Sequence, residues 1–105
     1  MLVEFRILPV GTGEETKELV AKTVAIIEKS ELDYQLTAMG TLLEGSWEEV
    51  MFVVQKCHEE VKKIAERVVT EIVIDDRKAL NGRLKGNVLE VEYVLGKSVK
   101  SGGLT

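Results

Sequence analysis

Three side chains with complementary chemistry recur at three-residue steps in the segment Met39-Gly40-Thr41-Leu42-Leu43-Glu44-Gly45-Ser46-Trp47. The Thr41 hydroxyl both donates and accepts a hydrogen bond, the Glu44 carboxylate only accepts, and the Trp47 indole offers a broad π face. A flat heterocycle bearing an amine would use all three. Its amine would donate to the carboxylate, a ring nitrogen would meet the hydroxyl, and its face would lie against the indole. A charge-assisted bond of this kind is worth about 1.5–3 kcal/mol when water is excluded. The segment is therefore expected to bend so that acid, alcohol and ring face one cavity. Each residue also has a purely structural role open to it: Glu44 beside the positive end of a helix, and Trp47 as a core anchor beneath a sheet.

Other candidates carry less. Thr12 and Ser46 are accounted for by helix capping, although their loops could present backbone amides to an anion. Gly11-Thr12-Gly13 lacks the lysine of a phosphate-binding loop. Asp75 and Arg77 share strand parity, which fits a surface ion pair as well as a site at a strand end. Cys57 and His58 diverge by about 100° on a helix, so they form neither a catalytic couple nor a metal site.

The elements that must position these residues follow from hydrophobic period. Val3, Phe5 and Ile7 alternate with Glu4 and Arg6 as in a half-buried strand, which Pro9 is expected to end. Thr12 with Glu15 reads as a capping box opening a helix whose Leu19, Val20, Thr23, Val24 and Ile27 share one side, ending near Lys29 or Ser30. Residues 34–38 and 41–44 are short strands joined by a turn at Gly40. Ser46 with Glu49 opens a second helix carrying Val50, Met51, Val54, Cys57, Val61, Ile64 and Ala65 on one stripe. The β-branched run 68–74 is a fourth strand. Asn81-Gly82 and Gly86-Asn87 read as turns. Residues 88–95 read as a fifth strand with Leu89, Val91, Tyr93 and Leu95 on one apolar face.

Gly11-Thr12-Gly13-Glu14-Glu15 is echoed by Gly45-Ser46-Trp47-Glu48-Glu49 at an offset of 34 positions. Two strand–helix–strand halves repeated in this way predict an α+β, ferredoxin-like βαββαβ sandwich, here with an extra C-terminal strand. A single domain over 1–96 and a flexible tail over 97–105 are expected, with the first and third strands in the middle of the sheet. Both helices would cover one sheet face. The other face, with the apolar side of the last strand, would be buried by further copies of the chain in a closed oligomer.

The 105 residues suit one core, and 45% hydrophobic with 30% charged residues marks a globular chain. A net charge of −4 without any basic block argues against nucleic acid. No apolar run is long enough for a signal peptide or membrane span, and the single Cys57 fits a reducing cytoplasm.

Val10-Gly11-Thr12-Gly13, Tyr34-Gln35-Leu36-Thr37-Ala38-Met39-Gly40-Thr41, Glu44-Gly45 with Trp47, Arg67-Val68-Val69 and Ile74-Asp75-Asp76-Arg77 together resemble the small thiamine-binding protein family, long treated as a domain of unknown function. The resemblance runs from Val3 to Arg77 and does not extend to the last strand. Its specificity lies in the Met-Gly-Thr…Glu-Gly and Asp-Asp-Arg segments taken together. It implies a ferredoxin-like fold, a homotetramer built as a dimer of dimers, and binding of thiamine or its hydroxymethyl-pyrimidine half without known catalysis, with neither cofactor nor metal. The expected ligand-binding residues are then Thr12, Gln35, Met39, Gly40, Thr41, Glu44, Trp47 and Arg77. Glu44 would accept from the exocyclic amine, and Thr12, Gln35 and Thr41 would match the ring nitrogens. Trp47 or Met39 would cover the ring, and the cationic thiazolium suits an acidic protein.

Two other classes compete. An acylphosphatase-type enzyme would need an arginine in the loop after the first strand and an asparagine on the third, and neither is present. A regulatory or assembly module would use the same surface as a subunit interface, with Arg77 paired across it.

Overall fold

The elements follow in the order β1 (Leu2–Val10), α1 (Thr16–Lys29), β2 (Asp33–Leu36), β3 (Thr41–Glu44), α2 (Trp47–Lys62), β4 (Arg67–Asp75) and α3 (Arg83–Leu95). They are seen in a computed structural model that describes residues 1–11 and 16–101. The four strands form one antiparallel sheet in the order β2-β3-β1-β4, with β1 and β3 central as expected. The α+β, ferredoxin-like arrangement stands.

Alternation along the strands decides what is buried. Val3 and Phe5 on β1 and Leu43 on β3 turn toward α1 and α2, and pack on Ile27, Val50, Val53, Val54 and Cys57. A second cluster joins Leu19 to Val61 and Ala65. Ser46 starts α2 as a complete capping box: its Oγ accepts from the Glu49 amide at 3.2 Å, and its own amide donates to Glu49 Oε1 at 3.0 Å. These bonds hold the Glu49 carboxyl below its ordinary value. The two halves meet where the repeat equates them, since the Cys57 thiol lies 3.7 Å from the Thr23 carbonyl, 34 positions away. The corresponding box at Thr12 and Glu15 lies outside the described residues.

Three expectations are corrected. Pro9 does not end β1, which continues to Val10 along β4. It sits beyond Phe5, where β3 no longer pairs with β1, and a residue without an amide hydrogen is tolerated on such an open edge. β2 stops at Leu36 because the Thr37 hydroxyl closes a turn, accepting from the amides of Met39 (3.2 Å) and Gly40 (3.1 Å) and donating to the Gly40 carbonyl (2.8 Å).

The third correction is the largest: the expected C-terminal strand is α3. Leu84, Val88, Val91 and Leu95 fall at helical spacing as well as Leu89, Val91, Tyr93 and Leu95 fall at strand spacing, and Leu84, Val88 and Val91 line the space between α3 and the sheet. Gly82 keeps its turn role at φ 70°, but Gly86-Asn87 lies within the helix. α3 packs on the face that α1 and α2 leave open, so that face is partly covered from within the chain. Residues 97–101, the described part of the expected tail, carry two side-chain hydrogen bonds. Val99 donates to Glu92 Oε2 at 2.8 Å, and Ser101 accepts from Gln35 Nε2 at 2.9 Å.

Leu43 is fully buried at the junction of β3, β1 and α2. Leu43→Ala is expected to cost about 2–5 kcal/mol, read as a lower midpoint in urea unfolding with an unchanged m-value.

Candidate functional site

β3 is four residues long, and its alternate side chains serve opposite faces. Thr41 stands opposite Phe5 and Leu36 on the side of α1 and α2, where it is buried. Glu44, three residues on, has the opposite parity and points to the α3 side. Trp47 opens α2 with about half its surface exposed (53%). Acid, alcohol and indole therefore do not converge on one cavity, and the indole is not a core anchor either.

The Glu44 carboxylate is already engaged. It accepts the backbone amides of Arg83 (2.7 Å, Oε2) and Leu84 (3.2 Å, Oε1), the first two residues of α3. Gly82 has no side chain to cap this helix, so a carboxylate from β3 satisfies its free amides and meets its positive end. The structural role foreseen for Glu44 is realised, at α3 rather than at the adjacent α2.

A cavity of about 280 Å³ opens on the Thr41 side. It exists because β3 pairs with β1 only over residues 2–5, while β1 runs on to Val10. The notch beside Ile7, Leu8 and Pro9 is closed below by Leu19, Val20 and Thr23 of α1 and walled by the turn 36–41. Gly40 is required there: a Cβ would stand 2.9 Å from the Phe5 carbonyl oxygen. Among the described residues no strand pairs with this side of β1 past Phe5, and since residues 6–9 alternate their peptide groups between β4 and the open side, only the alternate groups face the notch. Met39, Gly40 and Thr41 all line the cavity. Thr41 is the buried polar residue among these three, with 8% of its surface exposed.

The remaining expected residues lie elsewhere. Gln35 and Leu42 line a second cavity, of about 490 Å³, on the α3 side. Arg77 makes an exposed ion pair with Asp75 at 3.6 Å. Thr12 lies outside the described residues. Leu19, Thr23 and Leu36 were not anticipated as site residues. Their signal was the open end of the α1 stripe, level with the part of β1 that outruns β3.

Arg6 at the cavity's edge is tied to Glu71 at 2.8 Å, which raises its pKa further. The Cys57 thiol is buried and pushed up to about 11, away from the reactive thiolate. His58 Nδ1 lies 2.6 Å from the Thr70 hydroxyl. Among the described residues no group of three or more His, Cys, Asp or Glu is placed to hold a metal, and no helix is long and apolar enough to cross a membrane.

Fold and notch together define a small ferredoxin-like sandwich with a ligand-sized opening beside its central strand. The chain belongs to the thiamine-binding protein family, whose sequence profile matches residues 3–92 and so continues past Arg77 into α3. A UPF0045 protein of Mycobacterium bovis is 38% identical over 96 residues, covering 90% of this chain and 94% of the relative. The solved structure of a hypothetical protein from Methanocaldococcus jannaschii superposes with a TM-score of 0.74 at 28% identity, covering 91% of this chain and 95% of the other. A Thermotoga maritima structure, named for a proposed role in thiamine biosynthesis or salvage, shares the fold at a TM-score of 0.73 and 22% identity, covering 86% of this chain and 96% of that one.

Removing the Glu44 carboxylate leaves the amides of Arg83 and Leu84 without their acceptor. Glu44→Ala is expected to cost about 1–3 kcal/mol, with the loss of amide-exchange protection concentrated in α3 and little change in β1 or β4.

Proposed function

We propose that this protein binds thiamine, or its hydroxymethyl-pyrimidine half, in the notch beside β1, as a carrier or sensor and without turnover. The observation that carries this reading is that Met39-Gly40-Thr41, the core of the family-like motif, lines the opening beside β1 where β1 outruns β3. An aminopyrimidine is flat and presents a donor beside an acceptor. The free edge of β1 offers the same alternation in its peptide groups, and the Thr41 hydroxyl adds one group that can donate or accept. Met39 and the apolar residues of α1 cover the ring faces. The volume lies near the lower end of small-molecule pockets, which suits a single ring better than a large cofactor. Glu44 is excluded from the amine contact by its bonds to α3.

Binding without catalysis agrees with the buried Cys57, whose thiol is pushed up to about 11, and with His58, whose Nδ1 lies 2.6 Å from the Thr70 hydroxyl. A cytoplasmic setting agrees with a single unpaired cysteine. Titration calorimetry with thiamine should show saturable heat and a raised melting temperature. Thr41→Val should weaken binding by roughly 5–20-fold, the worth of one hydrogen bond in a dry site. No heat and no melting shift at millimolar thiamine would contradict the proposal.

The chain should also assemble. Leu89 (60% exposed) and Tyr93 (88%) lie on the side of α3 away from the sheet, and Val73 on β4 is exposed on the same sheet face. We propose that further copies of this chain cover these side chains, in a homo-oligomer built as a dimer of dimers. Light scattering at micromolar concentration should give a mass at least twice that of the chain. Tyr93→Glu should shift it toward the monomer, because a charge is costly to bury in an apolar contact.

A further inference from the structure

Beneath α3 lies a second cavity, of about 490 Å³, on the sheet face opposite the notch. Its lining is largely apolar, with Leu42, Leu84, Val88 and Val91, and Gln35 and Ser101 line it as well. The Gln35 side chain is held in an unbalanced way. Its Nε2 donates to the Ser101 carbonyl at 2.9 Å, but its Oε1 is buried with no partner. The Ser101 hydroxyl is buried and unpartnered as well. The amide orientation is fixed, because a carbonyl can only accept and so must face the NH2 end. Ser101 thus supplies the acceptor that Gln35 needs and leaves the matching donor unsupplied.

We infer that Gln35 anchors a second small-molecule site, which Ser101 fills imperfectly, and that its ligand is a neutral molecule with an apolar body and a primary-amide edge. Such an edge carries an acceptor beside a donor. Its carbonyl replaces that of Ser101 on Nε2, and its N–H supplies Oε1 with the partner it lacks. The exchange turns a one-sided bond into a paired one, while the apolar body fills the space under α3. A carboxylate has no donor for Oε1. A cationic amine meets no carboxylate among the lining residues and does meet Lys100. Among the described residues two side-chain bonds tie down the segment 97–101, Gln35 to Ser101 and Val99 to Glu92, few enough for a ligand to displace it.

The test uses the full chain, isotope-labelled, with hexanamide as probe. Hexanamide should shift the side-chain amide signals of Gln35 and the backbone signals of Val88, Val91 and Ser101 saturably at millimolar concentration. The same shifts should persist in the presence of saturating thiamine. N,N-dimethylhexanamide, which lacks the N–H donor, should bind at least roughly fivefold more weakly, a comparison that needs no altered protein. Gln35→Leu should abolish the difference between the two probes. Equal affinity for both probes, or no shift at either, overturns the proposal. Displacement of hexanamide by thiamine also overturns it, since the cavity under α3 would then be the thiamine site itself. Thiamine titration of the same sample reports on the notch separately, so failure there and failure here are distinguishable.

Discussion

The length and parity of β3 govern the molecule. It is a central strand with only four residues, next to a β1 of nine. Because it is short, β1 outruns it, and the sheet has a notch instead of a closed surface. Because it is a strand, it divides its side chains between two layers. Thr41 and Leu43 belong to the layer of α1 and α2, and Leu42 and Glu44 to that of α3. Both cavities and both helical layers meet at this strand.

α3 shows how one such residue organises a distant element. A helix that begins at a glycine in the left-handed region brings no cap of its own, and its first amides must be satisfied from elsewhere. Glu44 provides both acceptors from across 39 and 40 positions of chain. At its other end α3 stops at Gly96, whose amide returns to the Glu92 carbonyl at 2.8 Å. With its ends fixed in this way, α3 can lie over the sheet with Leu84 buried and still leave Leu89 and Tyr93 facing outward.

Much of this was legible in the residues. The repeat at 34 positions gave the βαββαβ plan, and the Ser46–Glu49 box marked the start of α2 to the residue. The resemblance of Met39-Gly40-Thr41 to the family motif led to residues that do line a cavity. The error at Glu44 was avoidable, since residues three apart on a strand must face opposite ways. The error at 88–95 was not avoidable by period alone. Val91 and Leu95 serve both a two-residue and a helical pattern, and the acceptors that Glu44 gives the first amides of α3 come from far outside the segment. Gln35 was chosen for its amide, and the cavity it reaches is not the one Thr41 reaches, because neighbouring residues on paired strands keep their parity across the sheet. The notch itself depends on the difference between two strand lengths, which no single segment encodes.

The central claim is that thiamine enters on the Thr41 face of β3. It is tested most directly by intermolecular nuclear Overhauser effects between thiamine and methyl-labelled protein. The account predicts contacts from the pyrimidine methyl group to Ile7, Leu19, Leu36 and Met39. Contacts to Leu84, Val88 and Val91, on the far side of the sheet, would contradict it.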